Sequence, residues 1–167
     1  MGDRDRAEIF ASFVSDTFPR AASIADVAGG HGDLSYWLAL GGRDPTIIDP
    51  RAARLPKRMQ RDLRKRQTRG ERVNPIRRMV ERVEHADLSQ FDLVVALHPD
   101  QATEPTVLAC VASGVDFAIV PCCVFPIGRT RYTQDGWVNY LTSLAPGSHR
   151  ARLPISGANM VIYFRTD

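Results

Sequence analysis

Cysteine is scarce in this chain of 167 residues: there are three, at positions 110, 122 and 123. They offer no disulfide framework, no CxxC pair and no zinc-binding spacing, which points to a reducing compartment and argues against a metal site. Long hydrophobic runs are missing as well. The longest uncharged apolar stretches reach about ten residues, roughly half of what a bilayer-spanning helix needs. The N-terminus, Met-Gly-Asp-Arg-Asp-Arg, lacks the apolar core of a secretory signal. The expectation is a cytoplasmic chain with no membrane partner. Its length suits one closed core and no second ordinary domain, so residues 1–167 are expected to form a single domain.

Lysine is nearly absent, two residues against twenty arginines, and the basic side chains are unevenly spread. Residues 51–82 carry thirteen of the 22 basic side chains and only three acids, Asp62, Glu71 and Glu81, a local excess of ten positive charges. The remainder holds nine basic and sixteen acidic residues, a net of seven negative charges. A strongly positive insert on an acidic body is a candidate surface for a polyanion, because charge asymmetry reports on partners more than on fold.

Helical periodicity alternates with short apolar strands, the pattern of an α/β domain around a mostly parallel sheet. Helices are predicted over Asp5–Thr17, Asp33–Leu40, Pro56–Arg69, Pro105–Ser113 and Asp135–Leu144. Strands are predicted over Ser23–Ala28, Thr46–Ile48, Phe91–Leu97 and Phe117–Val120, and a terminal antiparallel pair over Arg150–Ile155 and Asn159–Arg165. Asn74 and Pro75 look like the cap and first turn of a further short helix docked through Ile76, Met79, Val80 and Val83. A third strand has no clear signal.

The chemistry-bearing feature is a strand, a glycine turn, a helix, a second strand and then an acid. Glycines let the main chain approach a ligand, and an acid ending the next strand can accept both ribose hydroxyls. Asp49 lies 20 residues after Gly29, the nucleoside-binding spacing. A literal GxGxxG is absent. The segment from Asp26, with Ala28, Gly29, Gly30 and Gly32, instead resembles the acid-x-Gly-x-Gly-x-Gly motif I of class I S-adenosylmethionine-dependent methyltransferases. Ala28 stands where the family's first glycine is usual, which would be tolerated if that residue is still extended.

The resemblance runs from about Ser23 to Phe164. The segment from Thr46 to Arg51 resembles the family's second strand with its ribose acid, and Phe91–Pro99 resembles its fourth strand. The segments His98–Glu104 and Val120–Pro126 are similar to a poorly characterised methyltransferase-like group. Their Pro-Cys-Cys portion is similar to a family containing tRNA 2′-O-methyltransferases, although nothing matches the zinc fingers of those enzymes. The resemblance implies a Rossmann-like, doubly wound sheet and S-adenosyl-L-methionine as cofactor. It implies that Asp26, Ala28, Gly29, Gly30 and Gly32 shape the cofactor loop, that Asp49 and Pro50 meet the ribose, and that Asp87 and Leu88 flank the adenine.

Open α/β sheets bind ligands beyond the carboxyl ends of their strands, where His98, Asp100, Cys122, Cys123 and Phe125 belong. His98 is the candidate base or substrate hydrogen-bonding group, against the alternative of a histidine satisfied by backbone at a strand end. Asp100 either orients a partner or starts a turn. Cys122 and Cys123, adjacent in extended chain, point in different directions and read first as packing at a substrate-facing strand end.

Basic residues 54, 58, 61, 65 and 69 share one helical face, so Arg54, Arg58, Arg61 and Lys65 are the candidate RNA contacts, with Phe125, Tyr132 or Trp137 available to stack on bases. The function expected is methyl transfer to structured RNA, such as rRNA or tRNA. Two alternatives stay open: a catalytically silent RNA-binding or ribosome-assembly protein, and a small-molecule or protein methyltransferase.

Overall fold

The structure, a computed structural model, describes residues 3–128 and 131–166, with side chains from residue 6 onward. The chain runs α1 (Asp3–Thr17), β1 (Ser23–Val27), α2 (Asp33–Leu40), β2 (Asp44–Ile48), α3 (Lys57–Thr68), β3 (Arg77–Met79), β4 (Leu93–Leu97), α4 (Thr103–Ser113), β5 (Asp116–Val120), α5 (Gln134–Leu144), β6 (His149–Arg152) and β7 (Met160–Phe164). Single 3₁₀ turns occupy Val83–His85, Leu88–Gln90 and Asp100–Ala102.

The seven strands form one sheet in the order β3-β2-β1-β4-β5-β7-β6. The first five positions are parallel, and β7 runs antiparallel to both β5 and β6. This is the doubly wound, mostly parallel sheet expected from the sequence, with its antiparallel terminal pair. The strand order reverses between β1 and β4, and that topological switch point opens a crevice at the carboxyl ends of the strands.

Both faces of the sheet are covered, so the central strands read as continuous apolar runs rather than alternating ones. Ala25, Val27, Val94, Ala96 and Phe117 face α4 and α5, where Val107, Trp137 and Leu141 meet them. Ile24, Leu93, Val95 and Ala118 face the opposite way, under Ala7, Phe10 and Val14 of α1 and Leu34 and Leu38 of α2. In α1 the buried set Ala7, Phe10, Ala11 and Val14 follows steps of three and four, one stripe of an amphipathic helix.

The expected short helix after Pro75 is absent. Residues Arg77–Met79 pair in parallel with Thr46–Ile48 as an edge strand. Asn74 is no helix cap, because its side-chain amide donates to the carbonyls of Gly42 and Arg43 at 3.1 and 3.0 Å and feeds the chain into the sheet edge. Val80, expected to dock, is exposed. The unpaired edge of β2 outcompeted a weak local helical pattern.

Candidate functional site

Beyond Val27 the chain must leave the sheet at once. Ala28 still donates its N–H to the Ile48 carbonyl at 2.8 Å, but its φ is 54°. The expectation of an extended Ala28 is therefore corrected: the residue sits in the left-handed region, where a Cβ costs about 1–2 kcal/mol. The turn closes with the Gly32 N–H on the Gly29 carbonyl at 2.7 Å. Gly32, at φ 90°, then starts α2, and a Cβ there would lie 2.8 Å from both Ile47 and Leu55.

Asp26 supports this turn from below. Its buried carboxylate accepts the Ser35 hydroxyl at 2.7 Å. A Cβ on Gly29 would stand 2.6 Å from the same oxygen, so this acid and this glycine require each other. Burial pushes the Asp26 carboxyl up to about 7, against the opposing pull of the Ser35 hydrogen bonds.

Asp49, one residue past β2, is also buried. Its Oδ2 accepts the Gly30 N–H at 3.0 Å and its Oδ1 the Arg51 N–H at 2.8 Å. The Arg51 guanidinium forks onto both oxygens, Nε to Oδ1 and Nη2 to Oδ2, each at 3.1 Å, although its own side chain is 74% exposed. Burial raises the Asp49 carboxyl, but the Arg51 and Gly30 hydrogen bonds outweigh it and hold the group below the usual carboxylate range. Arg78 ties the same corner together, donating to the Gly30 carbonyl at 2.7 Å and the Arg51 carbonyl at 3.1 Å.

Of these residues, Ala28, Asp49 and Arg51 border a crevice of about 400 Å³. One wall is Val27, Ala28, Ile48, Asp49, Pro50 and Arg51; the other is Pro99, Asp100, Gln101 and Ala102, with Cys123 and Phe125 at its mouth. The segment after β3 contributes Arg82, Val83 and Glu84 to the lining. Asp87 and Leu88, expected beside the adenine, do not line it. The Asp87 carboxylate caps its own turn through the N–H and hydroxyl of Ser89, and Leu88 is buried in the core. An acid followed by an apolar residue matched the family pattern, but the 3₁₀ turn at Val83–His85 brings an earlier piece of chain to the crevice.

Next to this crevice, and sharing Ala28 with it, a second hollow is bordered by Asp26, Gly29, Gly30, Arg58 and His98. The loop after β4 is strained: His98 and Asp100 have φ of 54° and 50°. Such conformations persist only where surrounding contacts hold them. The His98 N–H donates to the Val120 carbonyl at 2.9 Å, and its Nε2 lies 3.0 Å from the Ala158 carbonyl. A carbonyl only accepts, so Nε2 carries the proton and Nδ1 is the acceptor in the neutral ring.

Asp100 accepts the Cys122 thiol through Oδ1 at 3.0 Å. Burial, followed by that hydrogen bond, pushes the Cys122 thiol up to about 12, which argues against a thiolate nucleophile. The expected divergence of the two cysteines is not observed: Asp100, Cys122 and Cys123 offer donor atoms all within 4.8 Å of one another.

In the basic segment α3 begins at Lys57, behind Pro56, so Arg54 precedes the helix. Arg61, Lys65 and Arg69 share a shallow groove with Lys57 and Arg64, whereas Arg58 turns toward the hollow beside Gly29. The single face expected for Arg54, Arg58, Arg61 and Lys65 is thus divided. Arg66 pairs with Asp62 and Glu71 at 2.8 and 2.9 Å. Among the described residues no carboxylate lies within ion-pair distance of Arg61, Arg64 or Lys65. Of the aromatics expected to stack on bases, Trp137 is fully buried and Tyr132 packs against Trp137 and Tyr140, which leaves Phe125, 41% exposed at the crevice mouth.

Arg51 and Arg78 went unassigned in the sequence. The position of Arg51, two residues after the strand-end acid, was a usable signal; the role of Arg78 depends on the β2–β3 pairing, for which the sequence had no signal.

No protein-family model matches this chain, and no curated protein matches it. Solved structures do. A Nostoc punctiforme protein provisionally described as an O-methyltransferase superposes with a TM-score of 0.63 at 15% identity, over 97% of this chain and 56% of its own. CalS10 from Micromonospora echinaspora, an amino pentose methyltransferase with S-adenosylmethionine bound, gives 0.63 at 16%, over 99% of this chain and 92% of its own. The tRNA (uracil-54, C5)-methyltransferase of Pyrococcus abyssi, in complex with S-adenosyl-L-homocysteine, gives 0.59 at 12%, over 95% of this chain and 38% of its own. The chain thus spans little more than half of the first of these proteins. The fold is the Rossmann-like fold of S-adenosylmethionine-dependent methyltransferases.

Proposed function

We propose that this chain transfers a methyl group from S-adenosylmethionine to structured RNA. The observation that carries the reading is the buried Asp49 carboxylate, hydrogen-bonded to the Gly30 N–H where strand order reverses, at the edge of a crevice with the capacity of a small-molecule site. Solved proteins of the same fold hold S-adenosylmethionine or S-adenosylhomocysteine.

The residues present fit the cofactor. Asp49 accepts the ribose hydroxyls, which requires the exposed Arg51 fork to swing aside or share the carboxylate. Ile48, Pro50 and Val83 supply apolar wall on the same side. Asp26 and Gly29 fix the turn whose main chain approaches the ligand. When bound, S-adenosylmethionine supplies an electrophilic methyl carbon on a sulfonium.

The chain's own contribution is alignment and proton handling. His98, fixed by the Ala158 carbonyl at Nε2, holds Nδ1 free to take a proton from the methyl acceptor. Phe125, partly exposed, adds an aromatic ring to the crevice lining. Arg61, Arg64 and Lys65, lacking carboxylate partners, hold the phosphate backbone, because cations replacing the counterions of a polyanion gain affinity by releasing them.

A non-catalytic RNA-binding role is the competing reading, favoured by the saturation of Asp49 by Arg51. Labelled-methyl transfer into fractionated cellular RNA, protein and metabolites separates the possibilities. Label in RNA supports the proposal; label in small metabolites or protein removes RNA as substrate. RNA binding with neither cofactor binding nor label in any fraction favours the non-catalytic role.

A further inference from the structure

We infer that Asp100, Cys122 and Cys123 form a binding site for a thiophilic divalent cation of the zinc class at the mouth of the crevice. The inference is independent of methyl transfer and reverses the expectation, drawn from spacing alone, that this chain has no metal site. Spacing rules describe ligands on one helix or hairpin. Here the donors come from two neighbouring strand ends, β4 and β5, 22 residues apart in sequence.

Adjacent side chains diverge only while the chain keeps the pleat of a strand. β5 ends at Val120, and from Pro121 the chain is free of the ladder, so both thiols can turn toward the same point. Their sulfurs and an Asp100 oxygen lie mutually within 4.8 Å, and Cys122 Sγ is already 3.0 Å from Asp100 Oδ1. A tetrahedral zinc centre, with metal–sulfur bonds of about 2.3 Å and metal–oxygen bonds of about 2.0–2.2 Å, places its donors roughly 3.5–3.8 Å apart. Closing the three groups onto one ion therefore asks for shifts of about 1 Å or less.

The supports on both sides are fixed. The Thr103 hydroxyl donates to the Asp100 carbonyl at 2.7 Å, and the main chain of His98 is pinned to Val120. The cysteine loop is tied down by buried Glu104, which accepts the Ile127 N–H and the Tyr140 hydroxyl. Two cysteine sulfurs, which release their thiol protons as the ion binds, together with one hard carboxylate suit zinc or cadmium better than magnesium or calcium. Asp100 and Cys123 are exposed along the crevice, which gives an ion a route in and leaves a fourth coordination position for water or a ligand heteroatom.

The test is titration of the reduced full chain with cadmium, read by the thiolate-to-cadmium charge-transfer absorbance, and with zinc by calorimetry against a competing chelator. The expected result is one ion per chain and a rise in the thermal unfolding midpoint with added zinc. Cys122→Ser, Cys123→Ser and Asp100→Asn should each weaken binding about tenfold or more, while Cys110→Ser, in the buried core, leaves it unchanged. Failure of the unaltered chain to bind one equivalent overturns the inference whatever the variants do. So does native-strength binding retained by both Cys122→Ser and Cys123→Ser.

Discussion

Arg51 covers the carboxylate of Asp49 with a two-pronged contact, Nε on one oxygen and Nη2 on the other, each at 3.1 Å. The acid is buried and the arginine is largely in solvent, so the pair is strongly oriented from one side only. A ribose that uses both Asp49 oxygens competes directly with this guanidinium. An exposed arginine contributes no more than about 1 kcal/mol to such a pair. Replacing it by an uncharged residue of similar length, Arg51→Met, is expected to tighten S-adenosylmethionine binding by up to about fivefold. Calorimetric titration measures this; weaker binding by the variant would mean that Arg51 itself holds the cofactor.

Asp26 makes stability depend on pH. Its ordinary value of 3.8 rises to about 7 in the folded chain because burial disfavours the charge. The folded chain then keeps a proton that the unfolded chain releases, so stability falls as pH rises from about 4 to about 7 and levels off above that. The shift corresponds to up to about 4 kcal/mol at full ionisation. Asp26→Asn removes the dependence: denaturant unfolding should show it more stable than the native chain at pH 8 and nearly equal to it at pH 4. A difference that does not grow with pH would contradict the assignment.

Ala28 at φ 54° is the position where glycine relieves strain. Relief of about 1–2 kcal/mol is partly offset by the greater freedom of glycine in the unfolded chain, about 0.5–1 kcal/mol. Ala28→Gly is expected to stabilise by about 0.5–1 kcal/mol, read from the urea midpoint at unchanged m-value. Destabilisation would show that the alanine methyl contributes packing that offsets its backbone cost.

The basic surface proposed to hold RNA divides along α3. Arg58 borders the hollow beside the glycine turn, so a clean test leaves it in place and changes Arg61, Arg64 and Lys65 to glutamate. RNA affinity should fall by at least about a hundredfold at moderate salt, with a shallower salt dependence, since three phosphate contacts are replaced by three repulsions. Cofactor affinity should be unchanged. Undiminished RNA binding would move the surface elsewhere on the chain.

Much of the architecture was legible because the central strands are buried on both faces and therefore apolar throughout, while Pro19, Gly41, Pro56 and Gly70 punctuate the helices. β3 was not. Its three residues, two of them arginines, carry no hydrophobic signal and are defined by the free edge of β2. Around the crevice, the Gly29 turn was legible because main-chain geometry imposes glycine there, and Asp49 stood out by its position just past the second strand. The left-handed Ala28, the crevice lining at Val83 and Glu84, the convergence of Cys122 with Cys123 and the division of the arginine face all depend on how separate elements meet. Local periodicity does not contain that information.

The most direct measurement is calorimetric titration of the native chain and of Asp49→Asn with S-adenosylmethionine, with folding of both verified by circular dichroism. Hydrogen bonds to a charged acceptor contribute about 1.5–3 kcal/mol, so the account predicts one-to-one binding by the native chain and a loss of at least about tenfold in the folded variant. No binding by the native chain, or equal binding by both, contradicts it.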